Sequence, residues 1–291
     1  MYPSRFNYES PKTLEEAIAL LDREAGEAKV LAGGQSLVPM MKLRFASPAM
    51  LVDINNIPGL RYHRVDPDGT IHIGALCRHE DLEDSVVLAK HQPTLAAASH
   101  LVADPIVRTR GTFVGSVCHA DPQGDWATTM LALGGRIVAQ GPKGKREIEM
   151  KDFVLGPFQN ALASNEIAIE AIIPAPKGVA LGGYLKLERR VGDFATASVA
   201  VALDMVDGRV VRAGIALAGV GGQTIDASDA ALVLVGHDLT EENIRKVAEQ
   251  TAAKAQPRTD HRGSADYKRQ IVRIFVSRIL TGIANSSQKV A

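Results

Sequence analysis

The sequence predicts an α+β protein, and three observations predict it. The first fifty or so residues read as a β-α-β unit around Val30-Leu31-Ala32-Gly33-Gly34-Gln35-Ser36-Leu37. A mixed middle closes at Pro174-Ala175-Pro176. Beyond that boundary come three alternating apolar runs and then only helical patterns, an order that segregates strands from helices.

Taken along the chain, Tyr2 to Tyr8 reads as an extended lead-in. Thr13 with Glu16 three residues on is a capping box, and Leu14, Ala17, Ile18 and Leu21 follow at helical spacing, so 13–23 is an amphipathic helix. A strand at 28–32, the glycine loop, a short helix from Leu37 to Arg44 and a buried strand at 50–54 complete the first unit. The loop lies after a strand and before a helix, where α/β units place ligands. The middle carries a strand at 70–75, helical segments at 79–90 and 93–103, a strand at 112–117 and a helix at 125–133. Residues 135–140 and 146–150 form a hairpin across Gly141-Pro142-Lys143-Gly144, followed by a strand at 166–173. The last third has strands at 184–190, 198–206 and 209–218, the last two turning at Val206-Asp207-Gly208. Helical patterns follow at 226–235, 240–254 and 265–284, then a frayed polar tail.

Bulk composition excludes several functions. At 291 residues and 46% apolar the chain is long enough for two or three subdomains with a large core. Lys plus Arg equals Asp plus Glu, which argues against a general nucleic-acid or membrane-surface binder. No apolar run reaches the roughly 20 residues of a membrane span, and MYPSRFNY has no apolar signal core, so a cytoplasmic location is expected. Cys77 and Cys118 are the two cysteines, too few for a cluster or a structural zinc in this chain. Any redox centre here is organic and loop-bound, or belongs to another chain.

The glycine loop is the first candidate site. Gly33 and Gly34 can turn their N–H groups toward an anion, Ser36 adds a hydroxyl, and the next helix starts with free N–H groups. The loop reads as a phosphate or diphosphate cradle or as an ordinary glycine turn. A second small, hydroxyl-rich stretch, RGTFVGSVCHADP at 110–122, lies about eighty residues on and could close on the same ligand. Neither loop has the GxGxxG or GxxxxGK pattern of the standard nucleotide sites. His119, Asp121 and Asp125 make a poor metal set. Their carboxylates suit sugar hydroxyls, with Asp125 as a helix cap the alternative. Lys186, Arg189 and Arg190 read as a basic cluster beside a phosphate or as a solvated strand face. Asp260 to Lys268 caps the last helix or meets a partner; Trp126 reads as core, and Cys118 as a packing residue.

Two segments carry a family resemblance. AGGQSLVPMMKLR at 32–44 resembles the signature AGGxSLxPxMKxR, and GTFVGSVCHADPQGD at 111–125 resembles GTIGGxxxHADPxxD. DFVLGPFQNALASNEI, YLKLERRVGDFATASVAV and GSADYKRQI also look like family segments. The chain is similar to the medium, FAD-binding subunit of the molybdenum hydroxylases, the carbon monoxide dehydrogenase and xanthine dehydrogenase group. The resemblance implies a two-subdomain FAD-binding fold of the vanillyl-alcohol-oxidase (PCMH) type over 1–177, split into 1–54 and 55–177. It implies a C-terminal domain at 178–284 with a three-stranded antiparallel sheet and helices, and a tail at 285–291.

The same resemblance implies the site. FAD is held by Leu31, Ala32, Gly33, Gly34, Gln35, Ser36 and Leu37 in the first loop. Thr112, Phe113, Val114, Gly115 and Ser116 form the second, with Asp125, Leu162, Lys186 and Phe194 elsewhere. It implies a large partner with a molybdenum cofactor and a small partner with two [2Fe-2S] clusters, in a dimer of heterotrimers. In that scheme the chain passes electrons through FAD to an external acceptor and supplies no acid, base or nucleophile. Val114 departs from the family's paired glycines, and a valine there restricts the backbone and crowds the diphosphate. Phe194 stands where some members have tyrosine. A stand-alone flavin oxidoreductase and a non-catalytic assembly subunit that has lost FAD are the competing readings.

Overall fold

The structure, a computed structural model, describes residues 2–288. The first unit is β1 (Asn7–Glu9), α1 (Leu14–Arg23), β2 (Ala28–Leu31), α2 (Leu37–Lys42) and β3 (Met50–Asp53). Its three strands are parallel in the order β1-β3-β2. Thr13 Oγ1 accepts the Glu16 N–H, and the Glu16 carboxylate accepts the Lys12 N–H, one residue before the expected partner. Ala17, Ile18 and Leu21 bury the helix on the sheet.

The second unit opens with β4 (His63–Val65) and β5 (Ile71–Gly74). Short helices follow: α3 (His79–Glu83), α4 (Val86–His91), α5 (Pro93–Ser99), α6 (Pro105–Arg108), α7 (Phe113–His119) and α8 (Asp125–Leu133). Then come β6 (Arg136–Gly141), β7 (Gly144–Glu149), α9 (Met150–Phe153), β8 (Val154–Gly156), β9 (Gln159–Asn160) and β10 (Ile167–Ile173). The five-stranded sheet runs β4-β5-β10-β6-β7, all antiparallel, with β10 at its centre. A bulge between Ala168 and Glu170 inverts the side-chain alternation of β10. Ile167, Ile169 and Ile172 therefore face the first unit, while Ala168, Ala171 and Ile173 face the helices. One strand thereby seals two cores.

The C-terminal part is β11 (Val179–Leu187), β12 (Ala197–Val206), β13 (Arg209–Ala218) and the two-residue β14 (Ile225–Asp226), then α10 (Glu241–Lys254) and α11 (Ala265–Gln288). Its sheet is antiparallel and lies between two helical layers: α5 and α8 on one face, α10 and α11 on the other. Strand β12 is consequently buried on both faces. Glycines permit the close packing. A Cβ on Gly214 would collide with the carbonyl oxygen of Ala132 in α8, and one on Gly182 with Thr94 Oγ1 in α5.

Several sequence expectations are corrected here. Residues 113–117 are helical rather than extended, because the extended Thr112 caps α7, its Oγ1 accepting the Gly115 N–H. The segment 79–90 is two helices, broken where Ser85 caps the second, and the helix expected over 93–103 stops at Ser99. The first C-terminal strand starts at Val179, hidden in the sequence by Gly182-Gly183, which serve packing rather than a turn. Residues 228–234 form a 3-10 helix in place of the α-helix expected over 226–235. The last helix continues to Gln288 through the expected frayed tail; 289–291 lie outside the described residues. No helix among the described residues is long and apolar enough to cross a membrane.

Substituting Gly214→Ala should cost about 1–3 kcal/mol through overpacking between β13 and α8. A lowered urea midpoint with unchanged slope is the expected reading; an unchanged midpoint would show that the helix yields freely.

Candidate flavin site

The two glycine loops meet backbone to backbone. A Cβ on Gly33 would collide with Arg110 O and would lie 2.8 Å from Gly111 Cα and 3.0 Å from Thr112 N. Gly34 has φ +74°, open to glycine at no steric cost. The N–H groups of Gly33 to Ser36 bond no backbone carbonyl among the described residues, and Ser36 leaves its hydroxyl uncommitted to capping α2. This is a cradle of free donors held open by missing side chains.

Polar side chains fix the loops to each other. Asn55 Nδ2 donates to Ala32 O at 2.8 Å, Arg78 Nη2 donates to Asn55 Oδ1 at 2.6 Å, and Arg78 Nη1 donates to Arg110 O at 2.5 Å. The Arg78 guanidinium thus bridges both loops through neutral oxygens and has no ion pair among the described residues. Burial and the nearby Arg110 and Arg61 push its pKa down. A bound anion would offset that charge.

Above the cradle lies a cavity of about 590 Å³. Of the residues expected from sequence, Leu31 to Leu37, Thr112, Val114, Gly115, Ser116, Asp125, Leu162, Lys186 and Phe194 all line it. Phe113 does not: it is fully buried and packs on Trp126 at 4.7 Å between ring centroids. Val114 lies in the first turn of α7, where valine meets no backbone restriction, and its side chain joins the core. Gly115 is the position that tolerates no Cβ, since one would lie 2.5 Å from the capping Thr112 Oγ1. Phe194 is half exposed, and Arg262 Nη1 donates to its carbonyl at 2.8 Å, so the Asp260–Lys268 segment anchors this loop.

Asp125 is the first residue of α8, not its cap, and its carboxylate is committed elsewhere. Oδ1 accepts the Tyr184 hydroxyl at 2.5 Å and Oδ2 the Lys186 ammonium at 3.1 Å. Lys186 also donates to Leu101 O at 2.8 Å, and Glu188 lies 3.4 Å away as a second carboxylate in ion-pair range without a hydrogen bond. Burial raises the Asp125 carboxyl while Lys186 and Tyr184 pull it back, and burial beside Asp125 raises the Tyr184 phenol. The expected basic cluster is divided: Lys186 is neutralised inside, while Arg189 and Arg190 are exposed. Burial pushes the Cys118 thiol up to about 12, consistent with a packing role. No group of metal ligands occurs among the described residues.

The match to known proteins decides the family. Residues 4–176 match the family described as FAD binding domain in molybdopterin dehydrogenase, and 183–283 match the CO dehydrogenase flavoprotein C-terminal domain. This chain belongs to the FAD-binding medium subunits of the molybdenum hydroxylases. Among these medium subunits, the carbon monoxide dehydrogenase medium chain of Hydrogenophaga pseudoflava is 39% identical over 96% of this chain and 97% of that one. The nicotine 6-hydroxylase medium subunit of Paenarthrobacter nicotinovorans is 37% identical over 94% and 95%. A solved Hydrogenophaga pseudoflava carbon monoxide dehydrogenase superposes with TM-score 0.91 at 40% identity, covering 97% and 98%. Quinoline 2-oxidoreductase from Pseudomonas putida 86 superposes with TM-score 0.90 at 31% identity, covering 98% and 99%.

Three residues at this medium-subunit site carry no signal in the sequence. Tyr184, Arg78 and His79 gain their meaning from partners 59, 32 and 47 residues away. His79 is buried, and desolvation with nearby Arg108 and Arg78 pushes its pKa down to about 4, against 6.5 ordinarily. The unfolded chain therefore takes up this proton first, so stability is fully present above about pH 6.5 and lost as pH falls toward 4. The loss should approach about 3 kcal/mol. Urea titrations at pH 7 and pH 4 should show a correspondingly smaller drop for His79→Gln than for the native chain. Equal drops would mean that His79 is protonated in the fold.

Proposed function

We propose that this chain binds one FAD along the cavity and passes electrons from the [2Fe-2S] clusters of a small partner subunit to an external acceptor. A large partner with a molybdenum cofactor hydroxylates the substrate, in a cytoplasmic dimer of heterotrimers. The observation that carries the FAD site is the backbone contact at Gly33, which joins two glycine loops into one donor-rich cradle. The bound flavin supplies the exchange between one-electron and two-electron chemistry. The chain's own residues bind and orient it. The N–H groups of Gly33 to Ser36, with Ser36 Oγ, suit the diphosphate. Arg78 supplies the compensating charge from behind the loops. Asp125, Lys186 and Tyr184 bond chiefly to one another and set a rigid polar wall. Phe194, at the cavity and half exposed, suits stacking on a flat ring.

The relatives support the electron-transfer reading by what they are: medium subunits of carbon monoxide, nicotine and glyceraldehyde oxidising enzymes. Chains this similar with such different substrates fit a role shared by all the assemblies rather than one of substrate choice.

Flavin content tests the reading. The purified chain, alone or with its partner subunits, should hold about one FAD, and Gly33→Ala should weaken binding at least ~10-fold by parting the loops. In the assembled complex, dithionite-reduced iron–sulfur clusters should then no longer reduce an external acceptor. Absence of flavin from both the chain and the complex would overturn the proposal.

A further inference from the structure

His79 has a feature that its place in the core does not require. It is 4% exposed, and its Nδ1 accepts a hydrogen bond from Trp126 Nε1–H at 3.0 Å. An indole nitrogen only donates, so Nδ1 carries no proton. Its burial keeps the imidazole neutral, and the single ring proton therefore sits on Nε2. The residue lines the cavity, yet Nε2 makes no hydrogen bond among the described residues. The donor is therefore not sealed in the core: it opens onto the cavity, where a ligand can meet it.

The direction of that donor identifies what it meets. The ring edge lies against the second glycine loop: a Cβ on Gly111 would sit 2.7 Å from Nε2. The backbone N–H of His79 donates to Gly111 O at 3.0 Å, fixing the ring's root to the same loop. Arg78 is adjacent and carries a charge that only neutral oxygens meet among the described residues, whereas Arg108 is paired with Glu83 at 2.7 Å. The surroundings are thus electropositive, and the acceptor they favour is anionic.

We infer that His79 donates its Nε2 hydrogen to a diphosphate oxygen of the bound dinucleotide, with Trp126 holding the ring in the donating tautomer. The inference rests on the FAD reading. It gives two residues outside the glycine motifs a role in binding, one touching the ligand and one positioning it.

The test uses the full chain stripped of flavin, titrated with FAD, with ADP, and with adenosine, which lacks the diphosphate. His79→Phe fills the space without a donor and should weaken FAD and ADP about ten- to a hundredfold while leaving adenosine unchanged. His79→Gln, which keeps an N–H, should recover part of the loss. Trp126→Phe keeps an aromatic ring but frees the tautomer, and should cause a smaller loss for the same two ligands. In nitrogen-15 spectra of the native chain, Nε2 should be protonated and its proton should shift on adding ADP. Native-like ADP binding by His79→Phe, an equal loss for adenosine, or an Nε2 signal indifferent to ADP would overturn the inference while FAD binding by the native chain stood. A native chain that bound neither FAD nor ADP would overturn the flavin reading and this inference with it.

Discussion

The site depends on a backbone-to-backbone contact that permits no side chain at position 33. The first loop leaves β2 and the second precedes α7, beside two different sheets. They form one cradle because Gly33 lets Arg110 O, Gly111 and Thr112 N approach to van der Waals distance. Free N–H groups on a single loop would be an ordinary turn. Two loops pressed together concentrate donors on one small volume and exclude water from behind them. The Asn55–Arg78–Arg110 chain of hydrogen bonds then holds that separation, with the cationic member placed where its charge is useful.

The C-terminal domain completes the site through a different kind of contact. Lys186 and Tyr184 project from β11 to Asp125 at the start of α8. A buried lysine, aspartate and tyrosine are expensive to desolvate, and such clusters add little net stability over an apolar core. What they add is register. Each hydrogen bond has one satisfying geometry, and loss of either partner leaves a buried charge unmatched. The ion pair therefore fixes β11 against α8, and with it the loop that carries Phe194. This side of the cavity wall is thereby set by packed elements.

Much of the scaffold was legible because its signals are local. The capping pair at Thr13 and Glu16, the hairpin at Pro142-Lys143 and the final helices follow from spacings of a few residues. The glycine loops were legible as candidates for the same reason. What was not legible depends on distant partners. Thr112 to Val117 carries β-branched residues that suggest a strand, but the Thr112 cap and the burial of Phe113, Val114 and Val117 on one side favour a helix. Gly182-Gly183 suggests a turn until Thr94 and Ile279 are seen packed against it. The conversion of Val114 from apparent obstacle to core residue follows from that same misread helix, since a helical backbone never asks position 114 for glycine geometry.

The chain's chemistry is expressed in what its polar groups are not free to do. Asp125, Lys186 and Tyr184 bond one another, and Arg78 is anchored to carbonyl and amide oxygens. The Cys118 thiol stays protonated near neutral pH. A site that had to activate its own substrate would need a group poised to exchange protons near neutral pH. The buried groups of this wall have instead been driven away from that range or locked into pairs: His79 down to about 4, Tyr184 upward. Such a wall presents fixed dipoles and fixed protonation to whatever lies in the cavity. That suits a bound redox cofactor, whose chemistry the protein holds and orients rather than performs.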